Sequence, residues 1–291
     1  YHTSGSWGAT AATAAGARIA NLTSDQTRHA LGIAEYHGPR SQMMRCIDHP
    51  TMLKDGAGWG AMTGVAAVKL ALSGFTGAPA LTIEQAPEYW QDLGADWYLR
   101  EQYFKPYPVC RWAQPPIEAA LKLRQAHHIQ PAQIDKIEII TFHQSVRLAT
   151  STPRTTEEAQ YSTSFPVAVA LARGTVTPAD IADDNLTDPE ILRLSHAITL
   201  REDDTANAAF PARRLARVTI THLDGRHYES DWSEARWDAA APPSEKDLRA
   251  KYHALADPVL GPHRAGDIES AIETLDKTAL SALSQHILCP L

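Results

Sequence analysis

Cysteine is scarce in this sequence: Cys46, Cys110 and Cys289 are all it has, widely spaced. That excludes a disulfide framework and fits a reducing, cytoplasmic setting. Long apolar runs are missing too, so no segment reads as a transmembrane helix. No charged-then-apolar leader opens the sequence, and no secretory signal is expected. Basic blocks are absent. With 27 lysines and arginines against 34 aspartates and glutamates the formal net charge is −7, the wrong sign for a nucleic-acid footprint. An anionic small molecule would therefore need a locally basic pocket in a mildly acidic protein. Phosphate-loop spacing is absent as well. The glycines at 56, 58 and 60 could bring backbone close to a ligand, but no Gly-Lys-Ser/Thr follows them. Cys46-x-x-His49 has the spacing of half a metal site, and no second half completes it, so no metal is expected.

What is there is an ordinary globular composition, 44% hydrophobic and 21% charged over 291 residues. That is enough for a sizeable core and two domains. Residues 7–21 and "GWGAMTGVAAVKLALSG" are rich in alanine and glycine, which lets helices approach closely. Between them "TSDQTRHALGIAEYH" offers Ser24 as an N-cap and apolar residues at helical spacing. After Trp90 the character changes. Residues 114–127 predict an amphipathic helix with Pro115 and Pro116 in its first turn. "IDKIEIITF" predicts a strand, and "EEAQYSTSFPVAVALARG" a helix with a kink or late start at Pro166. "RLARVTITHLDGRHYESDW" predicts a hairpin turning at Asp224-Gly225. Helices return after the double proline at 242–243, the first capped by Ser244. The expected fold class is α+β: a helical domain (residues 1–103 and 239–291) interrupted by a smaller α+β domain (104–238). Small-molecule sites commonly lie between two such domains.

One stretch asks for a chemical explanation. "FKPYPVCRW" places Lys105, Cys110 and Arg111 among prolines and aromatics. Core strands avoid such charges and surface loops need no aromatics, so these cations read as held at a pocket edge. Arg111 carries a planar fork suited to a carboxylate, or it stacks on Trp112 or Tyr107 as a structural contact. His2, just ahead of Ser4-Gly5-Ser6, is either an acid–base group beside an anion-binding helix start or a frayed terminal residue. Lys54 is either a site cation or half of a solvated pair with the neighbouring aspartate. Cys110 has no nearby histidine and reads by default as a small buried thiol. Tyr161 and Ser162 could donate hydroxyl hydrogen bonds or merely close a buried contact.

Four blocks in order, "HTSGSWGATAATAAGARIANL", "MLKDGAGWGAMTGVAAVKLALSGFTG", "FKPYPVCRW" and "EEAQYSTSFPVAVALARG", resemble the MmgE/PrpD family over nearly the whole chain. That family's activities include 2-methylcitrate dehydration, cis-aconitate decarboxylation and iminodisuccinate epimerisation. The resemblance implies a large helical domain interrupted by a lid, and a site for a di- or tricarboxylate that needs neither cofactor nor metal. It implies catalytic roles for His2, Lys54, Lys105 and Tyr161; substrate contacts are expected from Cys110 and, on the chemistry of their side chains, from Ser4 and Arg111. Cys110 stands where members carry either histidine or cysteine. The expected function is a 2-methylcitrate dehydratase-like lyase, working as a homodimer in the cytoplasm. The alternatives are an epimerase or decarboxylase on the same scaffold, or a non-catalytic subunit. Because the histidine block comes at once, the chain is expected to be a C-terminal portion lacking the family's N-terminal helical segment, with a separate chain supplying it.

Overall fold

The computed structural model describes residues 3–289; His2 lies outside them. Two compact units are present: one takes the residues up to Tyr98 together with Tyr107–Ala235, the other Leu99–Pro106 with Arg236–Leu291.

The first unit opens with a helical layer: α1 (Gly5–Ile19), α2 (Ser24–His37), α3 (Met44–Asp48), α4 (Ala57–Leu72) and α5 (Leu81–Glu84). The cap of α2 is Thr23 rather than the expected Ser24. Thr23 has the extended backbone a cap requires, its hydroxyl accepts from Gln26 N at 3.2 Å, and the Gln26 side chain accepts from Thr23 N at 3.1 Å. That reciprocal pair closes a capping box.

Glycine decides how α1 meets α4. A Cβ on Gly60 would lie 2.5 Å from the Gly5 carbonyl oxygen, and one on Gly64 would lie 2.6 Å from that of Ala9. A Cβ on Gly56 would lie 2.7 Å from Thr3 Oγ1. Gly56 and Gly60 thus serve helix packing, not the ligand approach that their spacing allowed on sequence alone. The buried Thr13 hydroxyl donates to Ala9 O at 2.8 Å, which leaves no polar cost at the seam. Gly60→Val should force the two helices apart and cost about 1–3 kcal/mol as overpacking does. A urea melt checks this, and an unchanged midpoint would refute the packing account. Trp7 and Ile19 of α1 and Trp59 and Met62 of α4 stay largely exposed, so the layer leaves large apolar side chains uncovered.

The rest of the first unit runs α6 (Gln114–His127), β1 (Ile134–Thr141), α7 (His143–Val146), α8 (Thr156–Gln160), α9 (Ser164–Arg173), α10 (Pro189–His196), β2 (Ile198–Glu202), α11 (Asp204–Ala209), β3 (Ala216–His222) and β4 (His227–Glu229). The sheet order is β2-β1-β3-β4, with β2 parallel to β1 and the other pairs antiparallel. Ile137 and Ile139 of β1 and Val218 and Ile220 of β3 point into one core with Ile117, Phe165, Leu171 and Leu194 from the helices. The hairpin turns where expected, with Gly225 at φ +85°, a conformation that glycine adopts without steric penalty. The helix expected across residues 157–174 is broken. Proline lacks an N–H and is tolerated only in a first turn, so α9 starts at Ser164, two residues before Pro166. Ser162 fills the break: its hydroxyl accepts from Phe165 N at 2.9 Å and donates to Thr150 O at 2.5 Å. Tyr161 sits in that break. The fold is α+β and dominated by helices.

The second unit carries α12 (Glu245–Leu260), α13 (Pro262–Glu273) and α14 (Leu280–Ile287). Ser244 caps α12 as expected, accepting from Asp247 N at 3.2 Å. The Arg249 guanidinium gathers Glu245, Glu269 and Glu273. His253 bridges Asp257 at 2.8 Å and Glu269 at 3.1 Å, and hydrogen bonds to those carboxylates raise its pKa above the ordinary 6.5. A raised folded value means the bridge contributes fully below the unfolded pKa and is lost as pH rises through the folded one. His253→Gln should therefore lower the unfolding midpoint at pH 6 and leave it unchanged at pH 9; equal losses at both would contradict the bridge. Among the described residues no helix is long and apolar enough to cross a membrane.

Candidate active site

The packing of α1 on α4 sets two chain segments side by side. The backbone N–H of Ser4 donates to Asp55 Oδ1 at 2.8 Å, and the same oxygen accepts from Gly56 N at 3.0 Å. Asp55 thus ties the start of α1 to the start of α4, and Lys54 immediately precedes this clasp. Asp55 spends a carboxylate oxygen on backbone, and Lys54 pairs elsewhere: its Nζ donates to Gln160 Oε1 at 2.8 Å, 106 positions along the chain. The ammonium also lies 4.8 Å from the centroid of the Tyr161 ring, within range of the ring's negative face.

Tyr161 lies beside the Cys46 thiol, and each shifts the other's pKa; Cys46 Sγ donates to Met43 O at 3.0 Å. Burial raises the phenol's pKa strongly, with the neighbouring thiols adding to the effect, so Tyr161 keeps its proton and offers Lys54 a neutral ring. Burial likewise raises the Cys46 thiol, which makes it a packing and hydrogen-bonding group rather than a nucleophile. The short helix α3 that carries Cys46 is fastened by Asp48, which takes a two-pronged grip from Arg147, one prong at 3.1 Å.

Partial shielding of the Lys54 ammonium lowers its pKa, against the opposing charges of Glu157 and Cys46. The groups in direct contact with the partly shielded ammonium, an amide and a phenol ring, are neutral and do not pair off its charge. This disposes of the solvated pair with Asp55 that the sequence left open.

The remaining candidates fall in three places. Cys110 is half-buried beside this cluster, with its N–H donating to Gln160 O at 2.9 Å. Arg111 is 4% exposed, and its Nη1 donates to Gln114 Oε1 at 3.3 Å. Gln114 Nε2 donates to the carbonyls of Tyr107 and Val109, so the stiff loop is closed around a buried amide. Ser162 is structural, as described. Lys105 belongs to the second unit, where its carbonyl accepts from the Lys251 ammonium. The Lys251 pKa is lowered by burial and then by the Lys105 charge. His2 falls outside the described residues.

Gln160, Asp55 and Cys46 were missed as members of the cluster. Gln160 stands directly before Tyr161 in a block singled out on sequence, but nothing local marks a glutamine as the partner of a distant lysine. Cys46 was weighed only as half a metal site.

Residues 107–277 match the MmgE/PrpD C-terminal domain, and residues 1–93 match the MmgE/PrpD N-terminal domain. The second match corrects one expectation. The chain carries N-terminal-domain sequence and is not a C-terminal portion without it. Two cis-aconitate decarboxylases of Aspergillus terreus, one from strain NIH 2624 / FGSC A1156, are similar along all of this chain, at 24% and 25% identity. The chain spans 65% of the length of these curated relatives.

Proposed function

The chain belongs to the MmgE/PrpD family, and from that premise we propose that it is a lyase acting on a di- or tricarboxylate, at a carbon next to a carboxylate. The observation that carries the reading is the convergence of Lys54, Gln160 and Tyr161 from distant parts of the chain. Breaking a bond at that carbon places negative charge on carboxylate oxygens. A cation already fixed in place stabilises that charge with little reorganisation. Lys54 is that cation, with the Tyr161 ring as its platform. Proton transfer at carbon falls to His2, and Arg111 is a further carboxylate partner. Dehydration of a hydroxylated substrate is the first form of the reaction. Decarboxylation is the second, and the names of the two Aspergillus relatives favour it.

The test is a panel of polycarboxylates offered to the intact protein, following water loss, carbon dioxide release and chirality together. Water or carbon dioxide release supports the lyase reading; racemisation alone replaces it with epimerisation; inertness towards the whole panel removes it. Homodimerisation belongs to the same proposal, with the exposed apolar side chains of α1 and α4 in its favour, and analytical ultracentrifugation tests it.

A further inference from the structure

We infer that Gln160 is the positioning residue of Lys54, fixing its ammonium group for a substrate carboxylate. This rests on the lyase reading for its catalytic meaning, but not for the contact itself. A lysine side chain is long and has many rotamers, so an exposed one is a poor preorganised cation unless something holds its tip. Among the described residues, the single hydrogen bond of Lys54 is the one to Gln160 Oε1 at 2.8 Å. Gln160 is itself well anchored. It ends α8, and its carbonyl accepts from Cys110 N at 2.9 Å. One residue thus joins the Lys54 segment to the stiff loop that carries Arg111.

The amide is suited to this task in a way a carboxylate is not. A neutral acceptor directs the ammonium without cancelling its charge, whereas glutamate would neutralise the lysine and repel an anionic substrate. With Oε1 engaged by Lys54, the Gln160 Nε2 group has two N–H donors and no partner among the described residues. Those donors can join the Lys54 ammonium on the same carboxylate.

Two variants test the assignment. Gln160→Met keeps the length and removes the acceptor; Gln160→Glu keeps the shape and adds a charge. The first readout is the titration of Lys54 Nζ by NMR in lysine-labelled protein, with the signal assigned through Lys54→Arg. The second is the split between kcat and KM for the polycarboxylate that the panel identifies. Gln160→Glu should raise the Lys54 pKa and raise KM, whereas Gln160→Met should lower that pKa. Both should reduce kcat/KM by about 10–100-fold, as misplaced catalytic groups do. A Lys54 titration identical in wild type and both variants would overturn the contact. A displaced titration with kcat/KM unchanged would overturn the positioning role. A displaced titration in a protein that turns over no polycarboxylate would uphold the contact and remove the lyase reading instead, so the two failures are distinguishable.

Discussion

Lys54→Met should lower polycarboxylate turnover by about 10²–10³-fold, the loss typical of removing one preorganised stabilising group. The fold should survive, because Lys54 lies outside the buried core and, among the described residues, its side chain makes one hydrogen bond, to Gln160, and one ring contact, with Tyr161. Steady-state kinetics with a circular-dichroism melt separates the two effects. The pH dependence carries a sign of its own. Shielding lowers the Lys54 pKa from its ordinary 10.5, so substrate affinity should decline on the alkaline side at a pH below that of an exposed lysine. The decline should vanish in Lys54→Met. An active Lys54→Met enzyme would remove the cation from the mechanism.

The second large effect is on stability. Gln114 is fully buried, and its amide satisfies Tyr107 O at 3.1 Å, Val109 O at 3.2 Å and Arg111 Nη1 at 3.3 Å. Gln114→Leu preserves volume yet removes one hydrogen bond from each of two carbonyls of buried residues and from one guanidinium N–H. Leaving buried polar groups unmet costs about 1–3 kcal/mol each before relaxation, so a loss of about 2–5 kcal/mol is expected. A lowered urea midpoint at constant slope is the predicted result. A midpoint within error of wild type would mean the loop does not depend on this amide.

Much of the scaffold was readable beforehand because its signals are local. Alanine and glycine at 7–21 and in α4, Pro115-Pro116 at the start of α6, Asp224-Gly225 in the hairpin and Ser244 before α12 each act within a few residues of themselves. What escaped reading depends on distance. The edge strand β2 is short and only partly buried, so it lacks the alternation that marks β3. It forms because β1 is there to receive it. Thr23 won the cap of α2 over its neighbour Ser24 through backbone geometry that composition does not display. The same holds for the site. Lys54 and Tyr161 were picked out one by one, but the glutamine between them in space is an unremarkable residue in sequence. Gly56 and Gly60 near Lys54 looked like part of a ligand loop and proved to belong to the seam between two helices, which requires knowing what stands opposite.

The most direct test of the account is calorimetric. Tricarballylate, a tricarboxylate with no leaving group, should bind the intact protein with one site per chain, and its trimethyl ester should not bind. Lys54→Met should weaken tricarballylate at least tenfold, about 1.4 kcal/mol. Equal binding of tricarballylate to wild type and Lys54→Met, or equal binding of acid and ester, would contradict the claim that this ammonium receives a substrate carboxylate.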